Sequence, residues 1–384
     1  MNTSREERRS LMEITALFYI GLVVVTVGLA VVIRNEAYVP GYVSGRESRI
    51  YNRQQGRNLA AEIGIYGMLT GVSACRVAIG ADYWVYWQQF QLIAQGRHVS
   101  YEVGFRYVVR LMQLIFGDGT YKTIFFLFSV LTVFFFLKAL HDQGEWYAAS
   151  LYLLLTGGYY FSSMHSVRYY FALSIALFSA KYVLRGEYGK FVLAVLAASF
   201  FHKSVLLVIP VYLLAAVLSK IHLKSWHYIV GTIIAASLIF GQGLYRKIIF
   251  YFYPYYEGSM FDNGSISWAN VAKCSAVLVL SLICFRSGIK ENVRNRFCFW
   301  LNIGGLLIYT CGSFIPEVSR VGYYLIIFQI FLIPGLLRSM KKGWLKHLCT
   351  VGTFGAFACY FLLFLYKAYD DSIRLLPYMN WIFQ

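Results

Sequence analysis

Apolar segments of about 17 to 22 residues recur along the whole chain, and their length is the strongest constraint on its fold. A helix of about 20 residues rises about 30 Å, which is the thickness of the hydrocarbon core of a bilayer. Hydrophobic residues make up 59% of the 384 residues and charged residues 14%, against about a quarter in soluble domains. The sequence therefore predicts an all-α, polytopic integral membrane protein.

About twelve membrane helices are predicted, with charged or glycine-bearing breaks between them and no separate soluble domain within residues 1–384. The seven cysteines form no Cys-x-x-Cys pair, so neither a disulfide framework nor a zinc site is indicated. The net charge of +17 is explained by basic loops that orient the helices rather than by nucleic-acid binding. The predicted helix centres lie near residues 23, 68, 130, 155, 175, 196, 212, 236, 277, 305, 328 and 356.

The distribution of Lys and Arg between alternate loops predicts the orientation of the chain. One set of loops carries 19 of these residues, whereas the opposite short loops around His165, His202 and Pro316 carry only Arg168, Lys203 and Arg320. Basic residues accumulate in cytoplasmic loops, so the first set is predicted to be cytoplasmic and both termini to face outward. The arginines of the N-terminal tail instead predict that the N-terminus is cytoplasmic. A thirteenth membrane span at residues 101–117 would make the two predictions agree.

Residues 101–117 have the pattern of an amphipathic helix rather than of a membrane span. Glu102, Arg106, Arg110 and Gln113 follow one another at spacings of four, four and three residues, which places them on one helical stripe. Such a helix lies in the membrane interface, here on the outer side. It is either a positional anchor or the flank of a site that Glu102 and Arg106 face.

The segment from Met164 to Pro210 is predicted to be a helical hairpin that brings two charged residues to one membrane face. Arg168 precedes the turn near Gly186 by 18 residues and His202 follows it by 16 residues. At about 1.5 Å per residue both side chains reach about the same height. Ionisable groups at such a position are costly without a partner or a function, which makes them candidates for a site.

Three arginines stand against the inside preference of basic residues, because Arg76, Arg168 and Arg320 all map to outward helix ends. Guanidinium groups at one depth suit a diphosphate, since the planar fork binds phosphate oxygens bidentately and stays charged at any pH. Each residue also has a simpler explanation. A helix-end arginine can snorkel and cap carbonyls, Asp82 can pair with Arg76, and His202 can be a packing residue.

An ordered set of motifs resembles the EpsG/Wzy family of bacterial exopolysaccharide and O-antigen polymerases, over roughly residues 58 to 338. The set begins with Arg76-x-x-x-Gly80-x-Asp82-Tyr83-x-x-Tyr86 and continues with Glu102-x-Gly104-Phe105. It ends with Arg168, then Phe201-His202-Lys203-Ser204, then Ser319-Arg320-x-x-Tyr323.

The resemblance implies a glycosyltransferase of the bacterial cytoplasmic (inner) membrane with its active site on the extracytoplasmic side. Such enzymes transfer a growing glycan from undecaprenyl diphosphate onto the next lipid-linked repeat unit, with no cofactor and no metal. The implied partners are these lipid-linked glycans, membrane lipids, and a flippase and a chain-length regulator of the same pathway.

The roles of the site residues follow from this reaction. Arg168 and Arg320, and less securely Arg76, are predicted to stabilise the leaving diphosphate. The general base is Asp82 or His202, with Glu102 as a further candidate. Lys203 and Ser204 are predicted to hold the diphosphate or the histidine ring, and the further substrate-binding residues are Tyr86, Arg106 and Tyr323.

Two other functions remain open at the level of sequence. A secondary transporter or lipid-linked glycan flippase would favour ionisable residues near the middle of spans and internal repeats, whereas charges cluster here at one face. A polysaccharide O-acyltransferase would need a route for a cytoplasmic acyl donor, and the cytoplasmic loops are short and basic. Nucleotide-binding glycine motifs are missing from the sequence, which disfavours an ATP-driven transporter.

Overall fold

The computed structural model describes residues 5–33, 45–221, 233, 236–252, 254–259, 262, 264–368 and 374–382. Within these ranges the regular structure is helical apart from one bridge between Arg76 and Asn380, which confirms the predicted all-α class. The first ten α-helices are α1 (Arg5–Val32), α2 (Gly45–Ala74), α3 (Tyr83–Ala94), α4 (Val103–Phe116), α5 (Lys122–Gln143), α6 (Tyr147–Thr156), α7 (Tyr159–Ser163), α8 (Val167–Leu184), α9 (Tyr188–Ser199) and α10 (Val208–Lys220). The later α-helices are Gln242–Phe252, Trp268–Ile283, Val293–Cys311, Val318–Ile326, Gln329–Ser339 and Trp344–Lys367. Short 3-10 turns cover Lys203–Leu207 and Pro254–Tyr256, and a π turn covers Phe285–Ile289.

Five helical stretches among the described residues are long and apolar enough to cross a membrane, which indicates an integral membrane protein. In the stretch Trp344–Lys367, only 11% of the most apolar 18 residues are buried inside the protein, so most of its side chains can face lipid. The corresponding share for Val318–Ser339 is 83%, which makes that stretch a central one. The five are Ser10–Val32, Lys122–Gln143, Lys203–Lys220, Val318–Ser339 and Trp344–Lys367.

The five stretches coincide with the predicted spans near residues 23, 130, 212, 328 and 356. Shorter apolar helices occupy the predictions near 155, 196 and 277, and helices also cover residues 68, 175 and 305. Near residue 236 only part of the stretch is described. The full number of about twelve spans stays a prediction.

The chain divides into two compact units. The first unit consists of residues 1–178, 196–203 and 351–384, and the second of residues 179–195 and 204–350. Within the first unit α1 packs against α2 and α6, and α2 packs against α5. Within the second unit the helix Val293–Cys311 is central, because it packs against α10 and against the helices Trp268–Ile283 and Val318–Ile326. The assignment of residues 1–384 to one transmembrane domain stays a prediction.

The C-terminal residues 374–382 form a strap that is bound to the end of α2 and to the start of α1. Tyr378 donates its hydroxyl hydrogen to the carbonyl of Val72 at 2.9 Å, and its backbone N–H donates to the Thr15 hydroxyl at 3.0 Å. The Tyr19 hydroxyl donates to the carbonyl of Leu375 at 3.1 Å. The start of α1 and the C-terminal strap therefore lie at one face of the first unit. The outward orientation of the two termini stays a prediction.

The helix α4 confirms the predicted helix near residues 101–117. Its 14 residues span about 21 Å, too short for a bilayer core, and α4 is not among the candidate spans. One side, formed by Phe105 and Val109, is buried, while Leu111 and Leu114 are exposed. Its placement on the outer side of the membrane stays a prediction.

Candidate functional site

The carboxylate of Glu102 is the centre of a cluster of charged and aromatic side chains in the first unit. It forms an ion pair with the guanidinium of Arg168, and its Oε1 lies 3.6 Å from Nδ1 of His202. The side chains of Glu102, Arg168 and His202 are only 13%, 15% and 16% exposed. Charges this shielded from solvent interact more strongly than charges at a surface. The two ends of the predicted hairpin thus meet at Glu102, in agreement with the helix-length argument.

The cluster is held in place by a close approach between the start of α4 and the end of α9. The N–H of Gly104 donates to the carbonyl of Phe200 at 2.9 Å. A Cβ atom at position 104 would come within 2.8 Å of that carbonyl oxygen, so only glycine fits without a shift of the backbone. The N–H of Lys203 also donates to Oε1 of Glu102 at 3.3 Å. These contacts connect residues 102–104 directly to the segment that carries His202.

Aromatic rings complete the surroundings of Arg168. Its guanidinium carbon lies 3.7 Å from the centre of the Tyr101 ring and 5.6 Å from that of Phe105. A guanidinium over an aromatic face gains a cation–π interaction, which is stronger when water is excluded. The backbone N–H of Arg168 donates to the Tyr86 hydroxyl at 3.4 Å, so Tyr86 lies next to the start of α8.

Two opposing effects set the pKa of Glu102. Burial alone would raise it, but the interactions with His202 and with the positive charge of Arg168 outweigh burial and lower the pKa of Glu102 from 4.5 to about 2. The carboxylate is therefore ionised at neutral pH and is a weak base. A general base works best with a pKa near the working pH, so Glu102 is better suited to orienting His202 than to accepting a proton.

Asp82 lies at the edge of this cluster. It precedes the first residue of α3, and its charge is close enough to Tyr101 to help raise the pKa of that phenol, although burial is the larger cause. Among the described residues no ion pair joins Asp82 to Arg76, which was the simpler explanation for both.

Arg76 has a different environment from Arg168. It is 1% exposed, and its guanidinium donates to the carbonyl of Ser73 and, at 3.1 Å, to the hydroxyl of Ser129. It also stacks on Phe125, 4.9 Å from the ring centre. Burial lowers the pKa of Arg76 to about 10, which still leaves the group charged at neutral pH. These contacts tie the end of α2 to α5, and the assignment of Arg76 to substrate binding stays a prediction.

The loop that follows Arg76 is fixed by the C-terminal strap and by the segment between α7 and α8. The N–H of Val77 donates to the carbonyl of Met379 at 2.8 Å, and the N–H of Ala81 donates to Nδ1 of His165 at 3.1 Å. Gly80 has a φ of +91°, and a Cβ there would meet the Met164 carbonyl and, at 2.8 Å, the Cα of His165. The glycine thus allows the loop that leads to Asp82 to pass against the backbone before α8.

The remaining predicted site residues of the second unit form contacts of their own. Nε of Arg320 lies 3.1 Å from a carboxylate oxygen of Glu317, and the hydroxyl of Ser204 lies 3.2 Å from that of Tyr324. Tyr323 is half-buried and interacts electrostatically with Lys273. The predicted roles of Arg320, Tyr323 and Ser204 stay predictions.

Sequence reasoning missed three residues at these sites. Tyr101 stacks on Arg168, Lys273 approaches Tyr323, and Tyr378 binds the end of α2. Lys273 had a detectable signal, because a lysine inside an apolar helix is a functional candidate by default. Tyr101 and Tyr378 had none, since tyrosines are common at membrane interfaces.

The backbone N–H of Arg106 donates to the carbonyl of Glu102 at 3.2 Å, but its side chain lines a separate cavity with Arg97 and Arg110. Within the described ranges, no group of three or more His, Cys, Asp and Glu side chains is arranged to hold a metal ion.

Comparison with known proteins is consistent with these motifs. No curated protein and no solved structure matches the chain. A protein family does match, over residues 63–380 and thus over well more than half of the chain. The match includes every residue of the Glu102 cluster, the Arg76 loop and most of the C-terminal strap. The chain has the helices of an integral membrane protein, and the family match covers most of its length. It therefore belongs to the EpsG family, which is associated with exopolysaccharide biosynthesis.

Proposed function

We propose that this protein is a membrane polysaccharide polymerase that transfers a growing glycan from undecaprenyl diphosphate onto a lipid-linked repeat unit at the extracytoplasmic face. The observation that carries the proposal is the contact of Glu102 with both Arg168 and His202 in a shielded cluster. An acid–histidine pair beside a guanidinium offers both a proton acceptor and positive charge, which glycosyl transfer from a diphosphate needs. Membership of the EpsG family supports the same class of reaction.

The reaction breaks one bond and forms one bond. The oxygen of an acceptor hydroxyl attacks the anomeric carbon, and the bond from that carbon to the diphosphate oxygen breaks. The diphosphate leaves with the electron pair, while the hydroxyl proton passes to a base on the protein. Positive charge that is already in place near the leaving oxygens stabilises this transition state more than the ground state.

His202 is the proton acceptor in this proposal, and Glu102 is its positioning residue. Nδ1 of His202 faces the Glu102 carboxylate, so the hydrogen is assigned to Nδ1 and Nε2 is the basic nitrogen. The low pKa of Glu102 favours this division of roles, because a carboxylate with a pKa of about 2 is too weak a base at neutral pH. Asp82 remains the second candidate for the base.

Arg168 and Arg320 are proposed to supply positive charge to the diphosphate, with Arg76 a weaker third candidate. Arg168 shares its charge with Glu102, and Arg320 with Glu317, so both would exchange part of an existing ion pair for phosphate oxygens. Tyr86, Lys203, Ser204 and Tyr323 are proposed substrate contacts. The proposal places the protein in the bacterial cytoplasmic membrane, where a flippase delivers its substrates and a chain-length regulator limits its product.

Substitution of His202 by glutamine tests the role of the base. Glutamine keeps a hydrogen-bond donor near Glu102 but cannot accept the proton at neutral pH. We expect polymer synthesis to fall by about 10²- to 10⁴-fold, the usual contribution of general base catalysis, and single repeat units to accumulate on the lipid. The measurement is the length distribution of lipid-linked glycans in a strain that depends on this protein.

A matched control is His347→Gln, at an exposed position of the helix Trp344–Lys367. This variant should give the normal length distribution. Normal polymer from His202→Gln, at normal abundance in the membrane, would eliminate His202 as the base and leave Asp82 to be tested in the same way.

A further inference from the structure

A cavity of about 490 Å³ lies between the end of α3 and one side of α4, within the first unit. Its volume falls within the range of about 300–1,000 Å³ that is typical of small-molecule sites. Four of its lining residues are basic or potentially basic, and none is acidic. These are Arg97, His98, Arg106 and Arg110.

Among the lining residues of this cavity, Arg106 is the one with a buried side-chain atom that lacks a hydrogen-bond partner. Its Nε is buried and has no hydrogen-bond partner among the described protein groups. A buried polar donor without a partner costs free energy, so such groups in native proteins normally have a ligand or a structural reason. Arg110 follows one turn later on the same side of α4, which places two guanidinium groups side by side at the cavity.

The electrostatics of this cavity differ from those of the Glu102 cluster. Arg168 already has a carboxylate partner, whereas no carboxylate lines the cavity to balance Arg97, Arg106 and Arg110. Three like charges around one space repel each other, and an anion bound among them would remove the repulsion. Arginine prefers phosphate oxygens for this purpose, because its planar fork donates two parallel hydrogen bonds.

An apolar stripe runs beside the basic side of α4. Tyr107, Leu111 and Leu114 follow at spacings of four and three residues and are 69%, 50% and 84% exposed. Because α4 is amphipathic and too short to span a bilayer, such a stripe suits burial among lipid chains at the interface. Tyr107 also lines the cavity, so the apolar stripe and the basic cavity are continuous.

We propose that the cavity binds the diphosphate group of a lipid-linked substrate, with the isoprenoid chain of that lipid along the apolar stripe. The proposal rests on the polymerase function above. Because donor and acceptor are both lipid diphosphates, it assigns a second diphosphate site, distinct from the charges of Arg168 and Arg320 at the leaving diphosphate. Arg106 lies four residues after Glu102, about 6 Å along the axis of α4. Glu102, which orients His202, thus immediately precedes the helix that carries the diphosphate ligands.

Direct binding to the purified full-length protein in nanodiscs of neutral phosphatidylcholine tests the assignment. The probe is farnesyl diphosphate, a short isoprenoid diphosphate, and its dissociation constant is measured by isothermal calorimetry. We expect Arg106→Gln/Arg110→Gln to weaken binding by about 10²- to 10⁴-fold, because each of the two side chains loses a charge-assisted hydrogen bond worth about one to two factors of ten. The control Arg185→Gln/Lys190→Gln removes two positive charges from exposed positions after α8 and at the start of α9, and it should bind as the parent protein does.

Three comparisons keep the result interpretable. Arg106→Lys/Arg110→Lys retains both charges without the planar fork and should show an intermediate loss, which guards against a folding defect in the glutamine variant. Inorganic pyrophosphate should bind more weakly than farnesyl diphosphate to the parent protein, and Leu114→Asn should reduce that difference. Phosphatidylglycerol, added to the nanodiscs, should not compete at equal concentration.

Unchanged affinity in Arg106→Gln/Arg110→Gln would overturn the site. Equal affinity for pyrophosphate and farnesyl diphosphate would overturn the assignment of the lipid chain, and full competition by phosphatidylglycerol would assign the cavity to ordinary anionic lipids instead. None of these measurements requires polymer synthesis. If the protein binds farnesyl diphosphate at the cavity but synthesises no polymer, the binding site stands and the proposed function is rejected.

Discussion

Arg76 and Arg168 have the same features in the sequence but different environments in the structure. Both are arginines at helix ends on the predicted outer side, and both are shielded from solvent. Arg76 is surrounded by hydroxyl and carbonyl groups of Ser73 and Ser129, whereas Arg168 faces the carboxylate of Glu102 next to His202. Both arginines are exceptions to the rule that basic residues accumulate in cytoplasmic loops. That rule considers the position of a residue in the chain and not the groups that the residue contacts.

This difference shows that an arginine at an outward helix end identifies a functional site only when the groups that it contacts can also take part in a reaction. Ser73 and Ser129 bind a guanidinium but offer no proton transfer at neutral pH, so the packing of α2 on α5 is sufficient to account for the burial of Arg76. An imidazole such as that of His202 can accept a proton and the Glu102 carboxylate can orient it, so Arg168 belongs to a group with possible chemistry. Substitution of both arginines by the same residue is therefore the sharpest way to test the comparison.

Arg168→Met should have the largest effect. It leaves the shielded Glu102 carboxylate without its ion pair, and the loss of one partner of a buried pair costs about 3–5 kcal/mol of folding stability. Chain extension should fall by at least about 100-fold, as when a preorganised charge is removed from a transition state. Thermal unfolding of the purified protein and the glycan length distribution report the two effects separately.

The double variant Glu102→Gln/Arg168→Met removes both charges of the pair and separates these effects. Stability should recover most of the loss, because no unpaired charge remains, while chain extension should stay low. Recovery of chain extension together with stability would mean that the pair is only structural, and that Arg168 does not differ in kind from Arg76.

Acidification should reveal the same pair through Glu102. Its folded-state pKa of about 2 lies below the value of 4.5 for an unperturbed carboxyl, so its ionised form stabilises the folded protein above about pH 4.5. This contribution, about 3 kcal/mol, should be lost as the pH falls from 4.5 to 2. Glu102→Gln should be less stable than the parent protein at neutral pH, and the difference should vanish in acid.

Unfolding temperatures over this pH range provide the measurement, with Glu291→Gln at an exposed position as the control. A constant difference between Glu102→Gln and the parent protein at every pH would show that the carboxyl is not held ionised by Arg168 and His202.

Helix length was sufficient to predict the meeting of Arg168 and His202. The rise per residue is a fixed property of the α-helix, so two residues about equally far from a turn reach the same height. The presence of Glu102 at that height followed only from the resemblance and from the amphipathic pattern of α4. The stacking of Tyr101 and the cavity around Arg106 depend on how α3 and α4 pack, which no local pattern encodes.

The C-terminal strap shows the same limit for the fold. Its hydrogen bonds join Tyr378 to Thr15 and to Val72, residues that are 363 and 306 positions away in the sequence. Residues 374–382 lack the length and the apolar run of a membrane helix, so composition gave no reason to place them against α1 and α2. Their contacts are to backbone groups at the end of α2 and in the loop after it, and to side-chain hydroxyls of α1.

Arg76→Met should have a smaller effect than Arg168→Met. The hydroxyls of Ser73 and Ser129 lie 2.8 Å apart and can still bond to each other, so the variant leaves few unsatisfied groups. Folding stability should change by less than about 2 kcal/mol, and chain extension per folded molecule should stay within about threefold of normal. Loss of chain extension without loss of stability would place Arg76 in the site after all and remove the contrast with Arg168.

Tyr378→Phe should have the smallest effect, and it tests the strap that flanks the Arg76 loop. The substitution removes one hydrogen bond, from the phenol to the carbonyl of Val72, and keeps the ring that stacks on Phe18 at 5.5 Å. We expect a loss of about 0.5–1.5 kcal/mol in folding stability, because Val72 is the only described group that this phenol bonds. Chain extension should be unchanged, since Gly80 and Val77 remain bonded to the strap through its backbone. A large loss of polymer from this variant would show that the Arg76 loop needs the strap in order to hold Asp82 beside Tyr101, and the packing role of the region would then extend to the chemistry.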